Sequence, residues 1–275
     1  MIRALDPERP PRLVPSARCG YVVDVRADDV VIRGLHFTST AAGLHAVILR
    51  GANRVTVEEC GFDGIGGLAI VETMDARSVV VRRNRIRRSS TTALYFGCHS
   101  GSCSVTDLLI EDNHIEGVTA PRRAVGYGIQ VKLNSCATIR GNVVVDTKGP
   151  GIMVYGAPDP ALVSVVEKNV ALGSRRSSGI VVGGGPAIVR DNVVGGHAEA
   201  GIALEDYGGR GLLRGVEVTR NTVYANRRGG IRVVGAVGDA AILDNRVYTR
   251  PGTPALPEIR PGIRLAGNVS GGCPP

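Results

Sequence analysis

The sequence predicts an all-β protein folded as a single right-handed parallel β-helix, a β-solenoid of about 9–10 coils with an asparagine ladder. Three observations carry that expectation. A short β-rich run ending in Asn recurs along the chain, a Gly-Ile pair or a close relative follows each run by about one turn, and no stretch shows helical periodicity.

The Asn series starts with VRRN at Asn84 and continues through Asn113, Asn142, Asn169, Asn192, Asn221, Asn245 and Asn268. The intervals are 29, 29, 27, 23, 29, 24 and 23 residues. Gly34 in VIRGLHF and Cys60 in VEECGF extend the register toward the N-terminus. An Asn at a turn tolerates the left-handed conformation and hydrogen-bonds nearby backbone. One per coil should stack amide on amide, because successive coils pair in parallel at about 4.8 Å. The second series runs through Gly43-Leu44, Gly67-Leu68, Ala93-Leu94, Gly128-Ile129, Gly151-Ile152, Gly179-Ile180, Gly201-Ile202, Gly230-Ile231 and Gly262-Ile263. Coils of this length match a right-handed parallel β-helix. A leucine-rich repeat is the competing solenoid, and its L-x-x-L-x-L signature is missing.

Residues 1–19, rich in Pro and Arg, read as a lead-in or cap, 20–270 as the β-helix domain and 271–275 as a tail. PGTPALPEIRP (251–261) reads as a loop, and the longest insertion lies between 93 and 128. Insertions in solenoids tend to gather on one face, often the binding face.

With 38 Gly, 4% aromatics and no Trp, the interior must be built from thin layers of Val, Ile and Leu. A net charge of +8 makes an anionic partner plausible, although a basic surface can be simply a solvated one. No apolar run approaches the ~18 residues of a membrane span. The start, MIRALDPERPPRLVPSAR, shows no apolar signal core. Cys98 and Cys103 in CHSGSC could form a short disulfide, remain thiols, or join His99 as part of a metal site; a disulfide would indicate export, to the periplasm or outside the cell. Cys60 reads as a small buried apolar residue.

Period-2 alternation turns the Ile of each Gly-Ile strand and the residue two later inward, so the second and fourth residues after the Gly face outward. The outward pairs are Tyr95 and Gly97, Gln130 and Lys132, Met153 and Tyr155, Val181 and Gly183, Ala203 and Glu205, Arg232 and Val234. Lys132 then sits over Tyr155, and Gly97 and Gly183 suggest open space on either side, a polar groove. The turns before these strands carry Arg87-Arg88, Arg122-Arg123, Lys148, Arg175-Arg176, His197 and Arg227-Arg228. Six consecutive coils would form a basic rim at about 5 Å per coil. Such a rim is either edge protection or a track for an extended polyanion. Few stacking aromatics and no recognised motif argue against nucleic acid. An acidic polysaccharide fits better.

The coil pattern over residues 20–270 resembles the right-handed parallel β-helices of the pectate-lyase-like superfamily. It is also similar to bacterial β-helix repeat proteins with a GIQ-x-K segment, here Gly128 to Lys132. That superfamily holds polysaccharide lyases, uronan C5-epimerases, hydrolases and non-catalytic surface proteins, so the fold leaves the activity open. Its lyases and epimerases use Lys, Arg, Tyr and His in proton transfer. The resemblance therefore implies a lyase that cleaves a uronate-containing polysaccharide by β-elimination. The alternatives are a C5-epimerase and a carbohydrate-binding surface protein.

In that reading Lys132 is the base, its pKa lowered by Arg122 or Arg123, Tyr155 is the acid, and His99 is a second acid–base candidate. Gln130 and Asn134 would hold the substrate, with Arg122, Arg123, Lys148, Arg175, Tyr95 and Glu205 along its path. The epimerases' Asp-Pro-His-Asp pattern and the hydrolases' Asn-Thr-Asp, Asp-Asp and Arg-Ile-Lys motifs are missing. Glu205-Asp206 lies three coils from Lys132, roughly 14 Å away. That exceeds the ~5–9.5 Å carboxylate separation of glycoside hydrolysis, so hydrolysis is disfavoured. Glu205, Asp206 and Glu199 could instead bind calcium, or be solvated rim acids. No nucleotide or redox cofactor is indicated, no membrane association is expected, and the chain is expected to be a monomer.

Overall fold

The computed structural model describes residues 1–275 apart from 5, 7–8, 15–19, 39–40, 212 and 273–275, so Cys19 and Cys273 lie outside the described residues. Among the described residues there is no helix, and three long sheets contain 11, 11 and 9 strands. The first nine coils contribute one strand to each sheet, and the last two contribute to sheets I and II only. Leu108–Glu111 belongs to sheet I, His114–Val118 to sheet II and Ile129–Val131 to sheet III, and each pairs in parallel with its counterpart one coil on.

Register places like over like. Ile129, Ile152, Ile180, Ile202 and Ile231 form one continuous column in sheet III. The inward residues Ile129, Val131, Ile152, Val154, Ile180 and Val182 are all fully buried. Each such side chain contributes roughly 1.5–3 kcal/mol through burial, which is how a chain without Trp makes a core from repeated thin layers. Near the N-terminal end Phe37 stacks on Phe62 at 4.8 Å between ring centroids.

The lead-in already pairs with the solenoid. Ile2–Arg3 joins Val31–Arg33 in sheet I and Arg12–Leu13 joins His36–Thr38 in sheet II. At the other end the 251–261 segment lies on the last strand of sheet III: the Gly230 and Ile231 amides donate to the Pro254 and Ala255 carbonyls at 3.0 and 2.9 Å. A loop laid on a sheet edge blocks further strand addition.

The corner between sheets I and II is the asparagine ladder. From Asn84 to Asn245, each backbone N–H and each side-chain Nδ2 donates to Oδ1 of the next Asn at 2.9–3.0 Å. Nδ2 also reaches a carbonyl of the preceding coil, such as Val57 from Asn84 or Ile110 from Asn142, at 2.9 Å. Cys60 occupies the same position, its amide donating to Asn84 Oδ1 and its thiol to the Glu58 carbonyl at 3.2 Å.

The left-handed residue is not the Asn but the one before it. Arg83, Asp112, Lys168, Asp191, Arg220 and Asp244 have φ between 53° and 56°, and Gly141 and Gly267 take 64° and 65°. That residue bends the chain, while the following Asn points inward at the carbonyls. Gly34 (φ 68°) therefore sits at the bend, and Leu35 occupies the ladder position, one residue later than the sequence pattern indicates.

Charges beside this corner are paired between coils. Arg33 meets Glu59 at 2.7 Å, Arg140 meets Glu111 at 2.7 Å, Arg190 meets Glu167 at 2.6 Å and Arg220 meets Asp191 at 2.9 Å.

Candidate acid–base site and basic cleft

The outer face of sheet III carries the candidate site. Register aligns Tyr95, Gln130, Met153, Val181 and Ala203 in one column, with Gly97, Lys132, Tyr155, Gly183 and Glu205 two residues further on. Lys132 does stand over Tyr155. The face is not an open groove, however: Gln130, Lys132, Met153 and Tyr155 are only 4, 5, 2 and 3% exposed.

The two glycines provide packing room rather than a gap. A Cβ on Gly97 (φ 100°) would lie 2.8 Å from Lys132 Cβ and 2.7 Å from Ser135 Oγ. One on Gly183 would lie 2.9 Å from Met153 Cε and 3.1 Å from Tyr207 Cβ. The cover comes from turns flanking the strands. Tyr207 sets its ring edge-on to Tyr155 at 4.7 Å, and Tyr127 and Leu133 pack on the cluster of Met153, Tyr155, Val181 and Ala203.

Within this cover Lys132 Nζ lies 4.0 Å from the Tyr155 ring centroid and 5.9 Å from that of Tyr95. Among the described residues no carboxylate pairs with the ammonium. Burial lowers the Lys132 pKa, and the positive charge of Arg210 lowers it further. Arg210, rather than Arg122 or Arg123, is the cation that acts on it.

The Tyr155 hydroxyl is 3.1 Å from that of Tyr127 and accepts a hydrogen bond from Gln130 Nε2 at 3.2 Å. Burial, then the bond to Tyr127, raises its pKa above the usual phenol value. One group is thus pushed toward giving up its proton and its neighbour toward keeping it. Environments that drive two adjacent pKa values apart are how an acid and a base are made from a pair of side chains.

Other predicted residues lie around this pair. His99 is exposed on the loop closed by the Cys98–Cys103 disulfide, and no hydrogen bond or ion pair joins it to Lys132 or Tyr155. Asn134, with φ 64°, donates through Nδ2 to the Gly101 carbonyl and ties that loop to the strand exit after Lys132. Glu205 is half-buried, and burial raises its pKa. Glu199 lies between Arg228 and Arg232 at 3.4 Å from each, and Asp206 accepts the Gly211 amide at 2.9 Å. Among the described residues no three His, Cys, Asp or Glu side chains converge to hold a metal ion, so the acids considered for calcium form no cluster.

Tyr127, Tyr207 and Arg210 were not legible as site residues. The one signal is length: the coil from Asn192 to Asn221 takes 29 residues, where its predecessor takes 23, and the Gly-rich 206–211 segment falls inside it.

The basic rim differs from its expected form. His197 is fully buried: Nδ1 accepts the Ser174 amide at 2.8 Å, and Nε2 faces the Ala171 carbonyl at 2.9 Å. Burial depresses its pKa to about 4, so it is a neutral structural residue and not part of the rim. Arg87 is registered with Glu116 on sheet II, Arg88 pairs with Asp63 at 2.7 Å, and Arg228 is drawn to Glu199.

What remains is a cleft of about 590 Å³ spanning three coils, lined by Thr119, Ala120, Arg122, Lys148, Arg175 and Arg176. Lys148 Nζ donates to the carbonyls of Ala120, Pro121 and Ala124 at 3.3, 2.8 and 2.6 Å. Arg175 donates to the Val118 carbonyl at 2.9 Å and lies 3.2 Å from Asp146. Arg123 is exposed on the same loop as Arg122.

Three parallel sheets, stacked corners and a layered interior define a parallel β-solenoid. The chain belongs to the right-handed β-helix family, whose model, described as the right handed beta helix region, matches residues 16–164 and 108–253. No curated protein matches it in sequence.

Among solved structures it is similar to an alginate lyase from Paenibacillus sp. str. FPU-7, with 14% identity and a TM-score of 0.52 over 92% of this chain and 99% of that one. The catalytic unit of a thermostable GH87 α-1,3-glucanase from Streptomyces thermodiastaticus strain HF3-3 matches with 14% identity and a TM-score of 0.50, over 95% of this chain and 63% of that one. A periplasmic alginate epimerase is 13% identical, with a TM-score of 0.46 over 93% and 79%. At such identity the likeness is one of fold. Among the described residues no helix is long and apolar enough to cross a membrane.

Proposed function

We propose that the protein is a polysaccharide-active β-helix enzyme that uses Lys132 and Tyr155 to cleave an acidic, uronate-containing polysaccharide by β-elimination. The carrying observation is a buried ammonium without a carboxylate, set 4.0 Å from the ring of a tyrosine whose hydroxyl is fixed by Gln130 and Tyr127. Burying a charge without its counter-ion is costly, and a lysine kept only for packing has no need of it. The alginate lyase and the glucanase that share the fold support a saccharide substrate.

In the proposed reaction the neutral Lys132 amine takes the proton from C5, α to the uronate carboxylate. The released electron pair forms the C4–C5 double bond as the C4–O bond breaks, and Tyr155 gives its proton to the departing oxygen. Gln130 and Tyr127 hold the Tyr155 hydroxyl in place. The positive charge of Arg210, which acts on Lys132, favours the carboxylate there. Reaching the pair requires Tyr207, 44% exposed and lying on Tyr155, to move aside. His99, Asn134, Tyr95 and Glu205 are proposed to contact flanking sugars. The Cys98–Cys103 disulfide supports a secreted or periplasmic setting.

The test is incubation with a panel of polyuronates in deuterated buffer. Ultraviolet absorbance reports the unsaturated product, and mass spectrometry reports deuterium in the sugar. Elimination gives new absorbance that Tyr155→Phe loses. Deuterium uptake without absorbance reassigns the pair to C5 epimerisation. Neither signal on any polyuronate sinks the catalytic reading.

A further inference from the structure

We infer that the three-coil cleft at Arg122 and Arg176 is a separate oxyanion-binding subsite, which anchors a second carboxylate of the same polymer away from the Lys132–Tyr155 pair. The identity of the polymer rests on the proposed function; the cleft itself does not.

The cleft departs from how the asparagine corner treats arginine. Beside the asparagine corner, Arg33, Arg140, Arg190 and Arg220 each meet an acid of a neighbouring coil at 2.6–2.9 Å. In the cleft, Arg122 and Arg176 are exposed, and among the described residues no acid pairs with either and Asp146 is the single carboxylate bound to any lining cation. Simple edge protection would look like the first corner.

The cations of the cleft divide into two kinds. Lys148 spends its ammonium on three carbonyls of the 119–126 loop and so fixes the loop that carries Arg122. Arg175 is tied to Val118 and Asp146, which holds the cleft wall. Arg122 and Arg176 are left with free guanidinium forks, the geometry that grips a carboxylate with two parallel hydrogen bonds. A volume of about 590 Å³ accepts a whole sugar unit rather than a bare counter-ion.

The cleft is also joined to the acid–base pair. The loop that carries Thr119, Ala120 and Arg122 runs directly into Tyr127, whose hydroxyl meets Tyr155. From Arg176 to Gly183, the counterpart of Lys132 in that coil, the chain advances seven residues (183 minus 176), at most about 23 Å of extended backbone. A polymer occupying both points gains from effective concentration, whereas a fragment too short to span them does not.

The experiment is titration calorimetry of the full chain with oligogalacturonates and oligomannuronates graded from dimer to long oligomer. The wild type is compared with an Arg122→Gln/Arg176→Gln variant, which removes no side-chain hydrogen bond or ion pair among the described residues. Wild-type affinity should rise steeply once the oligomer spans both points. The variant should bind the long oligomer about 10- to 100-fold more weakly, as expected for charge-assisted hydrogen bonds. An unchanged long-oligomer Kd in the variant overturns the subsite, as does wild type that binds none of these oligomers. The two readings fail separately. Turnover that depends on Lys132 together with an unchanged Kd removes only the anchor. Binding that depends on Arg122 and Arg176 without turnover of any polyuronate removes only the catalytic pair.

Discussion

Lys132 is an amine that the fold makes easier to deprotonate, because burial and Arg210 both act against its charge. Its folded pKa is below the unfolded one, so the unfolded chain binds more protons and stability rises with pH across the interval between the two. Lys132→Met should therefore melt at a higher temperature than wild type near neutral pH, and that gain should shrink as the pH approaches the ordinary lysine pKa. Calorimetric melting at neutral and alkaline pH checks both parts. Turnover should follow the same direction, rising with pH as Lys132 loses its proton and falling only where Tyr155, held above the normal phenol range, loses its own. His197 obeys the same sign rule. With a folded pKa of about 4, it contributes stability that is fully present above its unfolded value near 6.5 and is lost between there and 4, in total roughly 3 kcal/mol. A His197→Gln variant should show a flatter dependence of melting temperature on pH from 7 to 4, and an unchanged slope would mean that His197 is not the group being titrated.

Among the elements, the asparagine corner is the most demanding. Asn142 is fully buried, and its Oδ1 accepts both the Asn113 amide and Asn113 Nδ2. Asn142→Ala should cost roughly 1–3 kcal/mol, read as a lowered denaturation midpoint, because it leaves buried donors without an acceptor. The ladder positions and the inward Ile and Val columns were legible because each coil repeats one residue pattern exposed to one physical demand. The ladder position was misplaced by one residue at Gly34, which is the bend itself, since an αL position can be filled by Arg, Asp, Lys or Gly and leaves no residue signature. The cover over sheet III was not legible for a related reason. Tyr127 and Tyr207 belong to turns of irregular length, so no period predicts that their rings land on Tyr155. Gly97 and Gly183 accordingly read as empty space in the sequence, whereas in the fold they admit the packed neighbours Lys132 and Tyr207.

Across the whole molecule, the charge of +8 is unevenly distributed. Beside the asparagine corner Arg140, Arg190 and Arg220 are ion-paired with acids, whereas in the cleft Arg122 and Arg176 have no ion pair among the described residues. Exposed charges are screened over about 8 Å at 0.15 M salt, so retention on an anionic polysaccharide should weaken as salt rises, and salt-independent retention would remove the cleft from the binding account. Net charge was legible in the composition, but its segregation was not, because pairing depends on which coil lies above which. The proposed chemistry rests on Lys132. The direct measurement is steady-state turnover of Lys132→Ala and Lys132→Arg on a polyuronate that the wild type converts. The account predicts that Lys132→Ala loses about 10²–10⁴ in kcat with little change in KM, and that Lys132→Arg does not restore it, since guanidinium keeps its proton. Near-wild-type turnover by Lys132→Ala would contradict it.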